Sequence, residues 1–175
     1  MQAMSHEQAM DLALEQARQS RVLGEVPIGA VVLDADGQVI GVGRNMTESW
    51  NDPTAHAEVL AIRDAARRMG DWRLAGCRLY VTLEPCLMCA GAIQQSRIEH
   101  VYYGAASPKA GALDSRLQAF AVPGFNHYPQ VTAGVQSGKC AMILADFFRD
   151  QRTSLEAREM RRDVRVVEGA RLESE

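Results

Sequence analysis

Pro85-Cys86-Leu87-Met88-Cys89 sets two thiols three residues apart, and His56-Ala57-Glu58 stands some thirty positions earlier with a strand-like run between them. If these side chains serve one purpose, the fold has to bring two separate helix starts together across a strand. Imidazole nitrogen and thiolate sulfur suit zinc, and three protein ligands leave the fourth tetrahedral position to water, which separates a catalytic zinc from a structural one. Cys86 and Cys89 share a face if they sit on a first helical turn, where the helix dipole favours thiolates. Two thiolates cancel the charge of the metal and weaken its pull on bound water, so a nearby base is useful. Glu58 is the candidate. Residues two apart on a helix point in different directions, so it need not be a ligand and is free to move a proton.

The flanking segments read as alternating helices and strands. Ser5 and Gln8 have the form of a capping box ahead of a helix over Glu7 to about Ser20. Ile28 to Leu33 and Val39 to Val42 flank Asp34-Ala35-Asp36-Gly37 and predict a hairpin. Asp52 before Pro53 predicts an N-cap for a second helix running to Met69, stopped by Gly70. A third strand is expected over Arg78 to Leu83, a helix from Cys86 to about Gln95, and a fourth strand over Ile98 to Tyr103. Loop chemistry fills Gly104 to Ser115, a weak strand falls at Val131 to Ala133, and one or two helices span Lys139 to about Val167. This alternation predicts a layered α/β fold.

With 175 residues, 47% hydrophobic and 23% charged, the chain suits one domain with a real core. We expect that domain over residues 1–175, with a core at about 5–152 and a helical tail at about 153–175. Apolar runs such as Ile28 to Leu33 are far short of the ~20 residues of a membrane span, so no membrane partner is expected. The first twenty residues mix Glu, Gln and Asp with apolar residues and lack the pattern of a secretory signal, which predicts a cytoplasmic location. Nineteen basic against twenty-two acidic side chains give a net charge of −3, so any nucleic-acid binding must be local.

His-x-Glu followed by Pro-Cys-x-x-Cys is the signature of the zinc nucleobase deaminases. The likeness extends further. Asn51 through Glu58, Leu79 through Ala92, and Ser96-Arg97-Ile98 closely resemble the bacterial tRNA-specific adenosine deaminases. Glu25 through Ala30, Gly41 through Asn45 and Asp146 through Arg149 are similar to other elements of that family, and the likeness runs from about Glu7 to Arg152. The resemblance implies a three-layer α/β/α cytidine-deaminase-like fold with a central mixed sheet, assembled as a homodimer. It also implies deamination of adenosine to inosine at the wobble position of a tRNA anticodon. His56, Cys86 and Cys89 then correspond to the ligands of one zinc ion per subunit, with no other cofactor. Glu58 corresponds to the residue that assists attack of water at C6, protonates N1 and helps ammonia leave. Asn45 matches the asparagine that hydrogen-bonds the flipped base, in keeping with the pairing of Asn with adenine edges. The loop carrying Ser107-Pro108-Lys109 is expected to meet the backbone and sugar of the anticodon stem-loop. The best-known bacterial members have Asp where this chain has Ser107, which still offers a hydroxyl but carries no charge to repel a phosphate.

Other residues divide between chemistry and packing. Phe147-Phe148 reads either as a stacking face for an unpaired base or as core positions of the last helix. Cys77 and Cys140 read as small core residues. His6, His100 and His127 are expected at surface or capping positions, with substrate contact conceivable for His127. Glu84, ahead of the cysteines, reads either as a group that orients a metal ligand or as a solvated strand end, and is left out of the catalytic set. From Arg149 to Arg165 six arginines face four acidic residues, the balance of a solvated helix face. Two other functions fit the motifs: a deaminase of a free base or nucleoside such as guanine or cytidine, and a non-catalytic zinc-stabilised module. The second leaves Glu58 without a use and lacks a fourth protein ligand.

Overall fold

The computed structural model describes residues 4–172, with side chains described through residue 159. The chain runs α1 (His6–Val22), β1 (Gly29–Leu33), β2 (Val39–Arg44), α2 (Thr47–Trp50), α3 (Ala57–Met69), β3 (Arg78–Leu83), α4 (Leu87–Gln95), β4 (His100–Ala105), a 3-10 turn (Ala119–Ala121), β5 (Gln130–Ala133) and α5 (Ser137–Leu172). The expected tail ends in residues 173–175, which lie outside the described residues. The capping box at Ser5 and Gln8 is present on both sides. The last element is one helix, not two.

Five strands form one sheet in the order β2-β1-β3-β4-β5. β1 is antiparallel to both β2 and β3, whereas β4 is parallel to β3 and β5 is parallel to β4. Four strands therefore point the same way and only β1 runs against them. As a result the carboxyl ends of β2, β3 and β4 lie along one edge of the sheet, where ligands of open α/β sheets gather. Asn45 follows β2, Glu84 through Cys89 follow β3, and Ser107 through Lys109 follow β4.

Each face of the sheet carries its own core, which makes the three layers. On one face, α3 and α4 contribute Ala57, Ala61, Ala65, Ala90 and Ile93 to pack on Val32, Leu79, Val81 and Tyr103. On the other, α1 contributes Ala9, Met10, Ala13 and Leu14, and α5 contributes Cys140 and Ile143, to pack on Val31, Leu33, Tyr80 and Tyr102. Cys77 and Cys140 are both core residues, as expected. Among the described residues no helix is long and apolar enough to cross a membrane.

Among the boundaries that differ from those the sequence predicts, two have a clear local reason. Asp52 does not cap the second long helix. Its carboxylate accepts from the Thr54 N–H at 2.8 Å and the Thr54 hydroxyl at 2.7 Å, closing a tight turn through Pro53. The helix then starts at Ala57 with His56 as its N-cap, and a separate short helix, α2, precedes the turn. The fourth strand begins at His100, not Ile98, and runs on through Gly104 and Ala105, where the sequence pattern suggests loop. Arg97 has φ +63°, and the Ile98 carbonyl bonds the His127 ring at 2.6 Å, so Ile98 is a buried core residue ahead of the ladder.

α3 lies unusually close to β2. A Cβ on Gly41 would strike the Ala61 carbonyl, and one on Gly43 would strike the Ala57 carbonyl. Because the obstacle is helix backbone, no rotamer change relieves it. Gly43→Ala should therefore lower stability by about 1–3 kcal/mol, the usual cost of overpacking, as read from urea unfolding. Gly138→Ala, where an added Cβ meets nothing within 4 Å, is the neutral control.

Candidate active site

His56 and Cys86 occupy equivalent places, as the N-cap residues of α3 and α4. Both have extended backbones, with ψ of 150° and 174°, and neither side chain makes a capping hydrogen bond. The side chains turn toward each other instead. His56 Nδ1 lies 3.7 Å from Cys86 Sγ and 3.5 Å from Cys89 Sγ. Tetrahedral bonds of the lengths zinc makes to nitrogen and sulfur hold their donors about 3.5–3.8 Å apart, so the three residues fit that ion. They form the one such group of metal-ligating side chains among the described residues.

The electrostatics follow from burial and shared protons. A hydrogen bond from the Cys89 thiol, aided by His56, holds the Cys86 thiol down to about 4. The same bond and burial push the Cys89 thiol well above its ordinary range. The bond with Cys86 raises His56, against the effect of its partial burial. Glu58, in the first turn of α3, is 4% exposed and within reach of the Cys89 sulfur. Burial pushes its carboxyl up to about 7, a value suited to taking and returning a proton near neutral pH.

Asn45 is buried at the end of β2 and its amide is fixed on both sides. Its Oδ1 accepts from the Thr47 hydroxyl at 2.8 Å, and its Nδ2 donates to the Val26 carbonyl at 3.3 Å and to Glu25 at 3.5 Å. Glu25 is itself buried and accepts the Ser49 N–H at 2.6 Å and the Glu48 N–H at 3.3 Å, which caps α2 from outside the helix. The Met46 N–H donates to the Ala55 carbonyl at 3.0 Å and ties the end of β2 to the residue before His56. Glu25 is a site-building residue that the sequence reading does not single out. Its partners lie some twenty residues away, and no local pattern marks it.

Glu84 fits neither expectation, since it is not solvated and its hydrogen-bond partners are not His56, Cys86 or Cys89. It is 3% exposed, not solvated, and its two oxygens collect the 107–115 segment. They accept N–H groups from Ser107 at 3.0 Å, Leu113 at 3.2 Å, Asp114 at 2.8 Å and Ser115 at 2.8 Å, and also the Ser115 hydroxyl. Gly111 passes so close that a Cβ there would strike the carboxylate. Burial alone would raise Glu84, but these donors override it and hold the carboxyl down at about 2. Ser107 is thereby anchored through its backbone with its side chain partly exposed, while Lys109 extends into solvent.

The remaining candidates fall on either side of the packing line. Phe147 is 7% exposed, whereas Phe148 is 46% exposed and meets it edge-on at 5.4 Å. Of the two, Phe148 presents a face to solvent. His127 is tied to the Ile98 carbonyl through Nε2, a structural bond.

This arrangement defines a zinc-binding nucleobase deaminase fold, and residues 3–105 match the cytidine and deoxycytidylate deaminase zinc-binding region. Two relatives are tRNA-specific adenosine deaminases. That of Agrobacterium fabrum is 49% identical over 143 residues, covering 82% of this chain and 93% of the relative. That of Haemophilus influenzae is 45% identical over 146 residues, covering 83% and 84%. A solved structure from work on A-to-I editing by tRNA:A34 deaminases matches with a TM-score of 0.75 at 48% identity, covering 78% of this chain and 98% of that one. The chain belongs to the tRNA-specific adenosine deaminase family.

Glu84 yields a pH prediction with a definite sign. Its folded-state value is depressed, to about 2 against an ordinary 4.5, so its stabilisation is present above about pH 4.5 and is lost as the pH falls toward 2. Glu84→Gln should melt below the parent at pH 7, and the gap between the two melting curves should narrow steadily below pH 5. A constant gap across that window would show that the charge is not what holds the loop.

Proposed function

We propose that this protein deaminates adenosine to inosine at the wobble position of tRNA anticodons, in the cytoplasm, with one zinc ion per subunit held by His56, Cys86 and Cys89. The carrying observation is the meeting of two helix N-caps at distances that match a three-ligand zinc site, with buried Glu58 beside it. Zinc supplies Lewis acidity that brings water into nucleophilic range near neutral pH. Glu58 takes a proton from water and delivers it to N1 of adenine, then carries the proton of the added hydroxyl to the amino group, which departs as ammonia as the C6 carbonyl forms. Its burial keeps that proton from exchanging with bulk solvent between the two steps. Asn45, its amide locked by Thr47 and Val26, orients the adenine edge. Ser107, Lys109 and Phe148 meet the nucleotides around the target, with the loop held in place by Glu84.

The homodimer belongs to the same reading. Leu87 on the outer face of α4 and Val122 and Phe125 on the neighbouring segment are all exposed, and they line an apolar groove of about 270 Å³. A second copy of the chain covers it. Leu87→Glu should shift the mass measured by light scattering from dimer to monomer.

The role of Glu58 separates cleanly from metal binding. Glu58→Ala should retain zinc by elemental analysis while inosine formation falls by several orders of magnitude, whereas Cys89→Ala should lose both. Turnover of Glu58→Ala at the parent rate would contradict the assignment. An anticodon stem-loop should be deaminated orders of magnitude faster than free adenosine, because contacts with the loop position the flipped base. Equal rates on the two would favour a nucleoside deaminase.

A further inference from the structure

A chain with a net charge of −3 that binds a polyanion needs a local concentration of positive charge. One lies at the open edge of the sheet. β2 is an edge strand, and beside it runs a groove of about 470 Å³ walled by α1 on one side and α3 on the other. Four arginines line it, Arg44, Arg63, Arg67 and Arg68, against one acidic residue, Asp64. Asp64 is already engaged: its carboxylate accepts the Val42 N–H at 3.0 Å and pairs with Arg68 at 3.1 Å.

The other three guanidinium groups retain unused donors. Arg44 donates from Nη1 to Gln19 at 2.6 Å, yet its Nε is buried with no acceptor among the described residues. Arg63 and Arg67 are exposed, lie one helical turn apart, and form no ion pair among the described residues. Arg67 Nε donates to the Arg63 carbonyl at 3.4 Å, and the remaining guanidinium donors of the pair match phosphate oxygens.

Position ties the groove to the site. Met46 lines the groove, and the Met46 N–H is bonded to the carbonyl of Ala55, the neighbour of His56. From there α3 carries Arg63 and Arg67 away from His56 by about 10 and 16 Å, at the usual rise per residue. Trp50, 55% exposed, stands in the wall of the same groove with a face open to stacking.

We propose that this groove holds the phosphodiester backbone of the RNA flanking the deaminated nucleotide, with Arg44, Arg63 and Arg67 on phosphates and Trp50 on an unpaired base. The inference rests on the tRNA reading above and extends it to the strand beyond the target base. An added peptide strand is the rival occupant of a sheet edge, but the Val42 N–H it would need is taken by Asp64.

The test is binding of an anticodon stem-loop to the zinc-loaded protein, followed by fluorescence anisotropy over a salt series. Arg63→Glu/Arg67→Glu should weaken binding at least tenfold at low salt. It should also flatten the slope of log affinity against log salt by about 0.7–0.9 for each phosphate that the variant no longer neutralises. KM for the stem-loop should rise in step, with the rate at saturating RNA retained. Arg63→Gln/Arg67→Gln, which removes charge without reversing it, should fall between the parent and the Glu variant, and thermal melting checks that both variants fold. Unchanged affinity and slope in the folded variants would overturn the groove while leaving the deaminase reading intact. Groove-dependent binding by a parent protein that makes no inosine would do the reverse. Binding of a strand-forming peptide but not RNA would assign the edge to the rival occupant.

Discussion

Two helices in this protein begin on residues that cap nothing. His56 and Cys86 stand where Ser, Asp or Asn would normally bond the first free N–H groups, and each turns its side chain across to the other helix instead. The forgone caps cost about 0.5–2 kcal/mol each by the usual scale. In exchange, the positive ends of two helix dipoles face one small volume. That field favours thiolates and a nearby carboxylate, which are the groups that a catalytic zinc site requires. Stability at the helix ends is given up for a site that the ion, when bound, ties together.

The convergence depends on sheet polarity. Because β1 alone runs against its neighbours, β2, β3 and β4 all deliver their carboxyl ends to one edge. Once there, each outgoing segment is held by a buried carboxylate or by backbone. Glu25 secures α2 and the Asn45 amide, Glu84 gathers the 107–115 segment, and the Met46 to Ala55 bond seats the approach to His56. Neither glutamate is an ion-pair partner among the described residues. Both are solvated by backbone N–H groups, a rigid arrangement that positions loops without adding a mobile charge to the site. The close seating of α3 on Gly41 and Gly43 serves the same end, by fixing how far His56 stands from the sheet.

Net charge and local charge tell different stories. An acidic chain is a poor candidate for nucleic-acid binding by composition, yet its arginines are unevenly placed. Arg63, Arg67 and Arg68 follow one face of α3, and Arg44 joins them only because β2 packs alongside. The Arg-rich stretch after Arg149 attracts more notice in the sequence, but there acidic residues are interleaved with the basic ones.

The sequence by itself determined the parts of this protein whose physics is local. Spacing within His56-Ala57-Glu58 and Cys86 through Cys89 marked out the ligand-type side chains that the fold brings together, since ligand type and helical direction depend on near neighbours. The capping box at Ser5, the hairpin turn and the strand at Arg78 to Leu83 were legible for the same reason. Asp52 misled because its carboxylate had two local uses, a helix cap or a turn, and the Thr54 hydroxyl tipped the choice toward the turn. Only the tertiary structure decided what Glu25 and Glu84 do, which of Phe147 and Phe148 faces solvent, and where Arg44 meets the arginines of α3. Those outcomes turn on contacts between residues some twenty or more positions apart or on which side of a helix the core lies. A carboxylate that accepts backbone N–H groups from a distant segment leaves no mark on the residues beside it, so its role becomes visible only when the chain is folded.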